Sequence, residues 1–265
     1  VKVFLLAGCG RAGNRVEIRG SGYHYLARVR RMKPGDRFLG ADAEGGTWRC
    51  TVTSVQRDRL EVSLDDPVEI EGERSSASPG SGAALPSLCL LQCLPKGRKM
   101  ELIVRQATEA GVRRIVPAVS RYSLSRPAGA EELRGKRLRW ERIARAAAQQ
   151  SGGGRLPVID APAPLQRVLE EGGPAAAGEV RVFFHERRAG EATLHGCLAG
   201  DVGSVSILVG PEGGLAHEEV QLLQRHGYSA ITVGSTVLRT ETAALFAIAA
   251  VQAVLQERHS WRPVS

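Results

Sequence analysis

The sequence predicts two parts, a small β-barrel followed by an α/β domain with a mostly parallel sheet. Three observations carry this. Residues 1–72 hold short runs rich in Val, Thr and aromatics, separated by Gly and Asp turns. From Leu88 onward, apolar runs alternate with helical patterns, as strand–helix–strand units require. Between them, EGERSSASPGSGAALP (71–86) is Ser, Gly, Ala and Pro with few large apolar groups, which reads as a linker. The expected domains are 1–72, a linker at 73–86, and 87–265.

The first strand is VKVFLLAG, bounded by Gly8 and Gly10. Its tail, LLAGC behind Lys2, has the look of a lipoprotein processing box. The apolar stretch Val3 to Ala7 is too short for a signal core, so it reads as a strand. GDRFLGAD, GTWRCTVTSVQ and RLEVSLDD follow as strands. Trp48, Cys50, Val52 and Ser54 alternate with Arg49, Thr51 and Thr53, one dry face against one wet. Several short strands with turns between them suggest a barrel.

In the second part LCLLQCL reads as a buried strand. RKMELIVRQATEAGV is a helix with Ile103, Ala107 and Ala110 on one face and Gly111 as its stop. RIVPAVS is the next strand, and ELRGKRLRWERIARAAAQQSGGG a basic helix ending in glycines. EVRVFFHE, SVSILVGPEGG and SAITVGSTVL are three more strands, with the helix AHEEVQLLQRHG between the last two. TAALFAIAAVQAVLQERH is apolar nearly all round, so it must be covered on most sides, by the sheet and by another subunit.

A chain of 265 residues, 43% of them hydrophobic, buries a real core and is not a disordered segment. Its net charge of +8 is unevenly spread. Residues 1–37 carry nine Lys/Arg against two acids, and 96–155 carry fifteen against five. Residues 38–75 carry four against nine. A basic block is either a solvated face or a polyanion footprint, and its occurrence in two separate regions favours nucleic acid. The five cysteines (Cys9, Cys50, Cys89, Cys93, Cys197) are odd in number and lack C-x-x-C or zinc spacing. They read as structural thiols in a reducing, cytoplasmic compartment. No apolar stretch suffices to span a bilayer, since even 242–255 contains Thr242 and Gln252.

Three loops leave the ends of the last strands: His185–Glu186, GPEGG at 210–214, and GSTVLRTETA at 234–243. In open α/β sheets ligands sit beyond the carboxyl ends of the strands. Gly210, Gly213 and Gly214 let a ligand press against bare backbone, with Pro211 stiffening the turn; a tight turn without a ligand is the other reading. The Walker Gly-Lys-Ser/Thr and the dinucleotide G-x-G-x-x-G are both missing, and Glu212 repels phosphate. A cofactor without phosphates and with positive charge fits better. In LRTETAAL, Thr240 or Thr242 suits a helix cap and Glu241 its first turn. Arg239 does not suit a helix N-terminus, where a cation is electrostatically misplaced, and so reads as functional. The histidines say little. His217-Glu218 lacks a second His at metalloprotease spacing, and His24 suits either an RNA contact or plain surface. RMKPGDR is basic with little aromatic interleaving, which predicts phosphate contact rather than base reading.

Together these stretches resemble the SPOUT methyltransferases of the RsmE type. LVGPEGG…LRTETAALFAIAAVQ carries the resemblance, with LPKGRKMELIVRQATEAGV, P-x-x-S-R-Y at 117–122, RWERIARAAAQQSG and YHYLARVRRMKPGD in family order. It covers nearly the whole chain apart from the linker and 156–180. The resemblance implies a PUA-like β-barrel, then a SPOUT α/β domain with a C-terminal trefoil knot, in a homodimer. It implies S-adenosylmethionine-dependent methylation of N3 of one uridine in 16S rRNA of the small ribosomal subunit, without a metal. Cofactor binding then falls to His185, Glu186, Gly210, Pro211, Glu212, Gly213, Gly214, Val233, Gly234, Leu238, Thr240, Glu241 and Thr242. Arg239 stabilises the uridine anion, and Glu212 serves the cofactor cation or orders the loop. Expected RNA contacts are His24, Arg28, Arg30 and Arg31 in the first block, and Lys96, Arg98, Lys99, Arg121 and Arg155 in the second. One departure stands out: the family places Arg directly after Gln-Ser-Gly, where this chain has Gly153, with Arg155 two positions on. Another SPOUT activity, on tRNA or a ribose 2′-oxygen, and a catalytically silent RNA-binding or ribosome-assembly factor are the alternatives. The barrel argues against the first, and intact GPEGG and LRTETA against the second.

Overall fold

Short strands and a long parallel sheet both emerge in the computed structural model, which describes residues 3–6, 9–42, 46–68, 85–123, 129–151, 155–186, 192–232 and 236–259. The chain divides into two compact units, Val1–Ser81 with Arg145–Leu156, and Gly82–Ala144 with Pro157–Ser265.

The first unit contains β1 (Val3–Leu5), β2 (Gly10–Ala12), β3 (Arg15–Arg19), a short helix α1 (Gly20–Tyr23), a π-helical turn (His24–Val29), β4 (Arg37–Ala41), β5 (Thr47–Val55) and β6 (Arg59–Pro67). The strands form one sheet in the order β1-β4-β5-β6-β3-β2. β1 runs parallel to β4 and every other pairing is antiparallel. LLAGC thus begins in a buried, paired strand. On β5, Cys50 and Val52 point into a core shared with Phe4, Ile18, Phe38, Leu60 and Val62, while Arg49 and Thr53 face water. Phe4 and Phe38 meet edge to face, 5.8 Å apart. In residues 145–156, Ala148 and Leu156 pack with Val3, Leu5 and Ala41.

The second unit contains β7 (Ser87–Cys93), α2 (Lys99–Glu109), β8 (Arg114–Val119), α3 (Ala130–Ser151, whose end belongs to the first unit), β9 (Val158–Ile159), β10 (Ala163–Pro164), α4 (Leu165–Glu171), β11 (Glu179–Phe184), α5 (Leu194–Cys197), β12 (Ser204–Val209), α6 (His217–Arg225), β13 (Ser229–Ile231) and α7 (Thr240–His259). The sheet is parallel throughout, in the order β10-β8-β7-β12-β11-β13, with β9 also on β8. Both faces are covered, which is why its strands read as nearly continuous apolar runs. Leu88 and Leu90 of β7 join Ile103, Ala107, Trp140, Ile248 and Val251 on one face. Leu91 and Cys93 join Leu165, Phe183, Leu223 and Tyr228 on the other. Burial raises the thiols of Cys50, Cys89 and Cys93 to about 12, so they stay protonated and inert. All five cysteines are free.

Two features of this sheet bear on stability and assembly. Arg181 of β11 is a buried cation whose side chain is 5% exposed. It donates to the carbonyls of Gly172, Gly173 and Pro174 after α4 and of His226 after α6, and pairs with Glu179 at 2.9 Å. α7 buries Ala244, Ala247, Ile248, Val251 and Leu255 but leaves Leu245 and Phe246 39% and 43% exposed, an apolar shoulder that the sheet does not cover. Among the described residues, no helix is long and apolar enough to cross a membrane.

Candidate active site

Because the sheet is parallel, β11, β12 and β13 all end on one edge, and their following loops leave side by side. After β12, the Gly214 N–H bonds the Pro211 carbonyl at 3.0 Å and closes the GPEGG turn. Gly214 stands at φ 71°, where a β-carbon is strained. A β-carbon on Gly213 would lie 2.9 Å from Cβ of Tyr122, in the loop after β8. The glycines thus answer two different needs, a left-handed turn and a close approach. After β11, the His185 N–H bonds the Ile231 carbonyl at 3.0 Å, tying this loop to β13. The Glu186 Oε1 atom lies 4.0 Å from where a β-carbon on Gly214 would stand, so the first and second loops meet. Val233 and Gly234, expected in the third loop, lie outside the described residues, as does Gly153. Leu238 is half-buried, and Thr242 is exposed.

Glu212 is held rather than free. Both of its oxygens accept from the Lys96 N–H at 3.1 Å, and Oε1 meets the Lys99 ammonium at 2.9 Å. Lys99 also reaches Glu241 at 3.3 Å, so one cation of α2 bridges the GPEGG loop and the first turn of α7. Burial raises the Glu212 carboxyl. The Lys99 ammonium and the N–H groups of Glu212 and Lys96 more than offset this and hold it below its ordinary 4.5. A lowered carboxyl contributes stability that is present above the unfolded value and lost as pH falls through the folded one. Wild type and Glu212→Gln are therefore expected to differ in denaturant midpoint at about pH 7 and to converge at acid pH, once the carboxyl is protonated in the folded state as well. Equal midpoints at both would remove Glu212 as an organiser of the loop.

The start of α7 departs from the expected cap. Thr240 is buried, and its hydroxyl donates to the Gly210 carbonyl at 2.7 Å instead of serving its own helix. The Arg239 carbonyl accepts from the Ala243 N–H at 2.7 Å, so Arg239 is the last residue before the helix. Its side chain is exposed and takes part in no ion pair among the described residues. Lys99 is neutralised between two carboxylates, whereas Arg239 has no carboxylate partner among the described residues.

Sequence reasoning passed over three residues here. Gln92, at the end of β7, bonds the Thr240 hydroxyl. Tyr122 packs on Gly213. Glu219 of α6 accepts from the N–H groups of Ala216 and Arg121, joining the start of α6 to the loop after β8. The sequence did carry a signal for two of them, since an amide interrupts the apolar run of β7 and Tyr122 ends the P-x-x-S-R-Y stretch.

The expected RNA contacts divide by unit. His24, Arg28, Arg30 and Arg31 are exposed on and after the π-helical turn, which Leu26 anchors in the core. Arg31 holds φ 54°, and none of these three arginines takes part in an ion pair among the described residues. In the second unit Arg98 pairs with Glu101 at 3.2 Å and Arg121 with Glu218 at 3.2 Å, while the Lys96 side chain is exposed. Arg155 is half-buried and falls in the first unit. No group of three or more potential metal ligands occurs among the described residues.

Comparison with known proteins accounts for this arrangement. An RNA methyltransferase domain family matches residues 83–252, and an RNA methyltransferase PUA domain family matches residues 18–65. The ribosomal RNA small subunit methyltransferase E of Mycobacterium bovis is 36% identical over 236 residues, 87% of this chain and 82% of that protein. The chain belongs to the ribosomal RNA small subunit methyltransferase E family. Another family member, from Aquifex aeolicus, is 31% identical over 240 residues, 88% of this chain and 92% of that protein. The fold agrees as well. A solved family member from Neisseria gonorrhoeae, bound to S-adenosyl methionine, matches with a TM-score of 0.76 at 23% identity, over 96% of this chain and 97% of that one. The first unit is thus the PUA-like part of a family protein, and the parallel sheet is its α/β methyltransferase part.

Proposed function

We propose that this chain methylates N3 of a uridine in 16S rRNA of the small ribosomal subunit, with S-adenosylmethionine as methyl donor. Beyond family membership, the observation that supports the reading is the pairing of a bare-backbone loop with an unneutralised cation, Arg239, at one edge of a parallel sheet. The loop suits the cofactor: it offers N–H and C=O groups for adenine and ribose, and its only carboxylate would repel a phosphate. In this reading Gly210, Pro211, Gly213, Gly214, Leu238 and the 233–234 segment hold the cofactor, with His185, Glu186 and the start of α7 around them. S-adenosylmethionine, when bound, supplies an electrophilic methyl group.

The chain's own residues do the rest. Uridine N3 is nucleophilic only after its imide proton leaves, and the resulting anion spreads onto the flanking carbonyl oxygens. Arg239 stabilises that charge at the edge of the sheet. A carboxylate or solvent takes the proton. Glu212 holds the loop through Lys96 and Lys99 and does not touch the reacting atoms. The exposed cations of the π-helical turn meet phosphates and position the RNA without reading bases.

The proposal extends to domain boundaries at 1–72, 73–86 and 87–265, a C-terminal trefoil knot, a cytoplasmic location, and a homodimer formed over the apolar shoulder of α7. Phe246→Glu is expected to turn a dimer into a monomer in light scattering; a monomeric wild type excludes the dimer. The function is tested by labelled methyl transfer to purified small subunits, naked small-subunit rRNA and tRNA in parallel. A 3-methyluridine product on rRNA is expected. A 2′-O-methyl product or transfer to tRNA alone overturns the reading.

A further inference from the structure

After Ser87, every residue of β7 is apolar or a cysteine except Gln92. Gln92 is fully buried, and an amide in such a place is costly unless it is bonded. Its Nε2 donates to the Cys93 carbonyl at 2.9 Å and to the Thr240 hydroxyl at 3.1 Å, with the carbonyls of Val209 and Gly210 at 3.4 and 3.5 Å. Thr240 passes the chain on to the Gly210 carbonyl at 2.7 Å. Oε1 has no partner among the described residues, an unsatisfied acceptor that Leu or Met at this core position would not carry.

We infer that Gln92 is a positioning residue that locks the Gly210 peptide of the GPEGG loop to the first turn of α7. The argument rests on the cofactor reading above. Gly210 opens the loop, and Thr240 directly follows Arg239. One amide therefore sets both the backbone that would face the cofactor and the origin of the cation that would face the base. The Gly210 carbonyl is met by the Thr240 hydroxyl at 2.7 Å and by the Gln92 amide at 3.5 Å, which restrains the peptide at the mouth of the loop. Lys99 bridges the same two segments on the outside through Glu212 and Glu241; Gln92 does so from within the core.

The test uses the full chain with Gln92→Met, Thr240→Val and Thr240→Ser. Calorimetry measures S-adenosylmethionine affinity, and single-turnover assays measure methyl transfer to small-subunit rRNA. Filter binding measures RNA affinity. Misplacing a reacting group by about 1 Å costs on the order of 100-fold in rate, so Gln92→Met and Thr240→Val are expected to lose transfer on that scale. Cofactor affinity is expected to weaken with it, while RNA affinity stays at the wild-type value. Thr240→Ser keeps the hydroxyl and is expected to recover most of the transfer and cofactor affinity that Thr240→Val loses. The inference is overturned if Gln92→Met and Thr240→Val bind and transfer like wild type. It is equally overturned if Thr240→Ser is damaged as badly as Thr240→Val, since lost methyl packing would then explain both. If Gln92→Met does not fold, the Thr240 pair decides, because it leaves the amide in place. Wild type that binds no cofactor defeats the proposed function and this inference together, whereas wild-type binding with unaffected variants defeats only the inference.

Discussion

Arg239→Ala is expected to slow methyl transfer about 10²–10³-fold, the loss typical of removing one preorganised group from a developing anion. Cofactor affinity should not change, since the loop and the start of α7 are held by Glu212, Lys99, Thr240 and Gln92. Stability should hold or rise by a few tenths of a kcal/mol, because a cation at a helix N-terminus opposes the helix dipole. Rate and stability moving in opposite directions distinguishes a functional Arg from a structural one. Arg239→Lys, which keeps the charge but loses the planar fork, should fall between the two. Single-turnover transfer and a thermal melt on the same preparation read both. Full turnover in Arg239→Ala would end the assignment and leave anion stabilisation to another group.

Arg181→Met is expected to have the largest effect on stability, about 3–5 kcal/mol, with no direct effect on chemistry. The loss has two parts. Glu179, which accepts from Arg181, from the Ser206 hydroxyl and from the Ala176 N–H, keeps a half-buried charge without its counterion. The carbonyls that end α4 and α6 lose a shared donor that also sits well for their dipoles. For a chain of this size the midpoint should fall by on the order of 10 °C. Adding Glu179→Gln should recover part of the loss, because the stranded charge is gone. No recovery in the double variant would mean that the carbonyl clamp, and not the ion pair, carries the effect.

The parallel sheet was legible because strands buried on both faces read as nearly continuous apolar runs, as LCLLQCL, VRVFF and VSILV do apart from Gln92, Arg181 and Ser206. The antiparallel strands of the first unit were legible by alternation, as Cys50 and Val52 against Arg49 and Thr53 show. β2 was not, since GRA is exposed on every residue and carries no apolar period, whereas β3 does alternate, with Val16 and Ile18 inward, and was passed over. The π-helical turn was equally hidden, because its single inward residue, Leu26, makes no pattern. The glycines and Arg239 stood out because their residue types conflict with ordinary local structure.

The sequence by itself determined the longer strands and helices in order, the loops that gather at one edge, and the family. The first two follow from local period and residue type, which act over a few neighbouring positions; the family follows from the resemblance of five motifs in order. Only the tertiary structure decided what those residues do to one another. It turned Thr240 from a helix cap into the partner of Gly210, and placed Lys99 between Glu212 and Glu241. It also joined Gln92 to a hydroxyl 148 residues away. A hydrogen bond or ion pair at such separation leaves no period in the chain; it exists only once the sheet has brought the ends of its strands together.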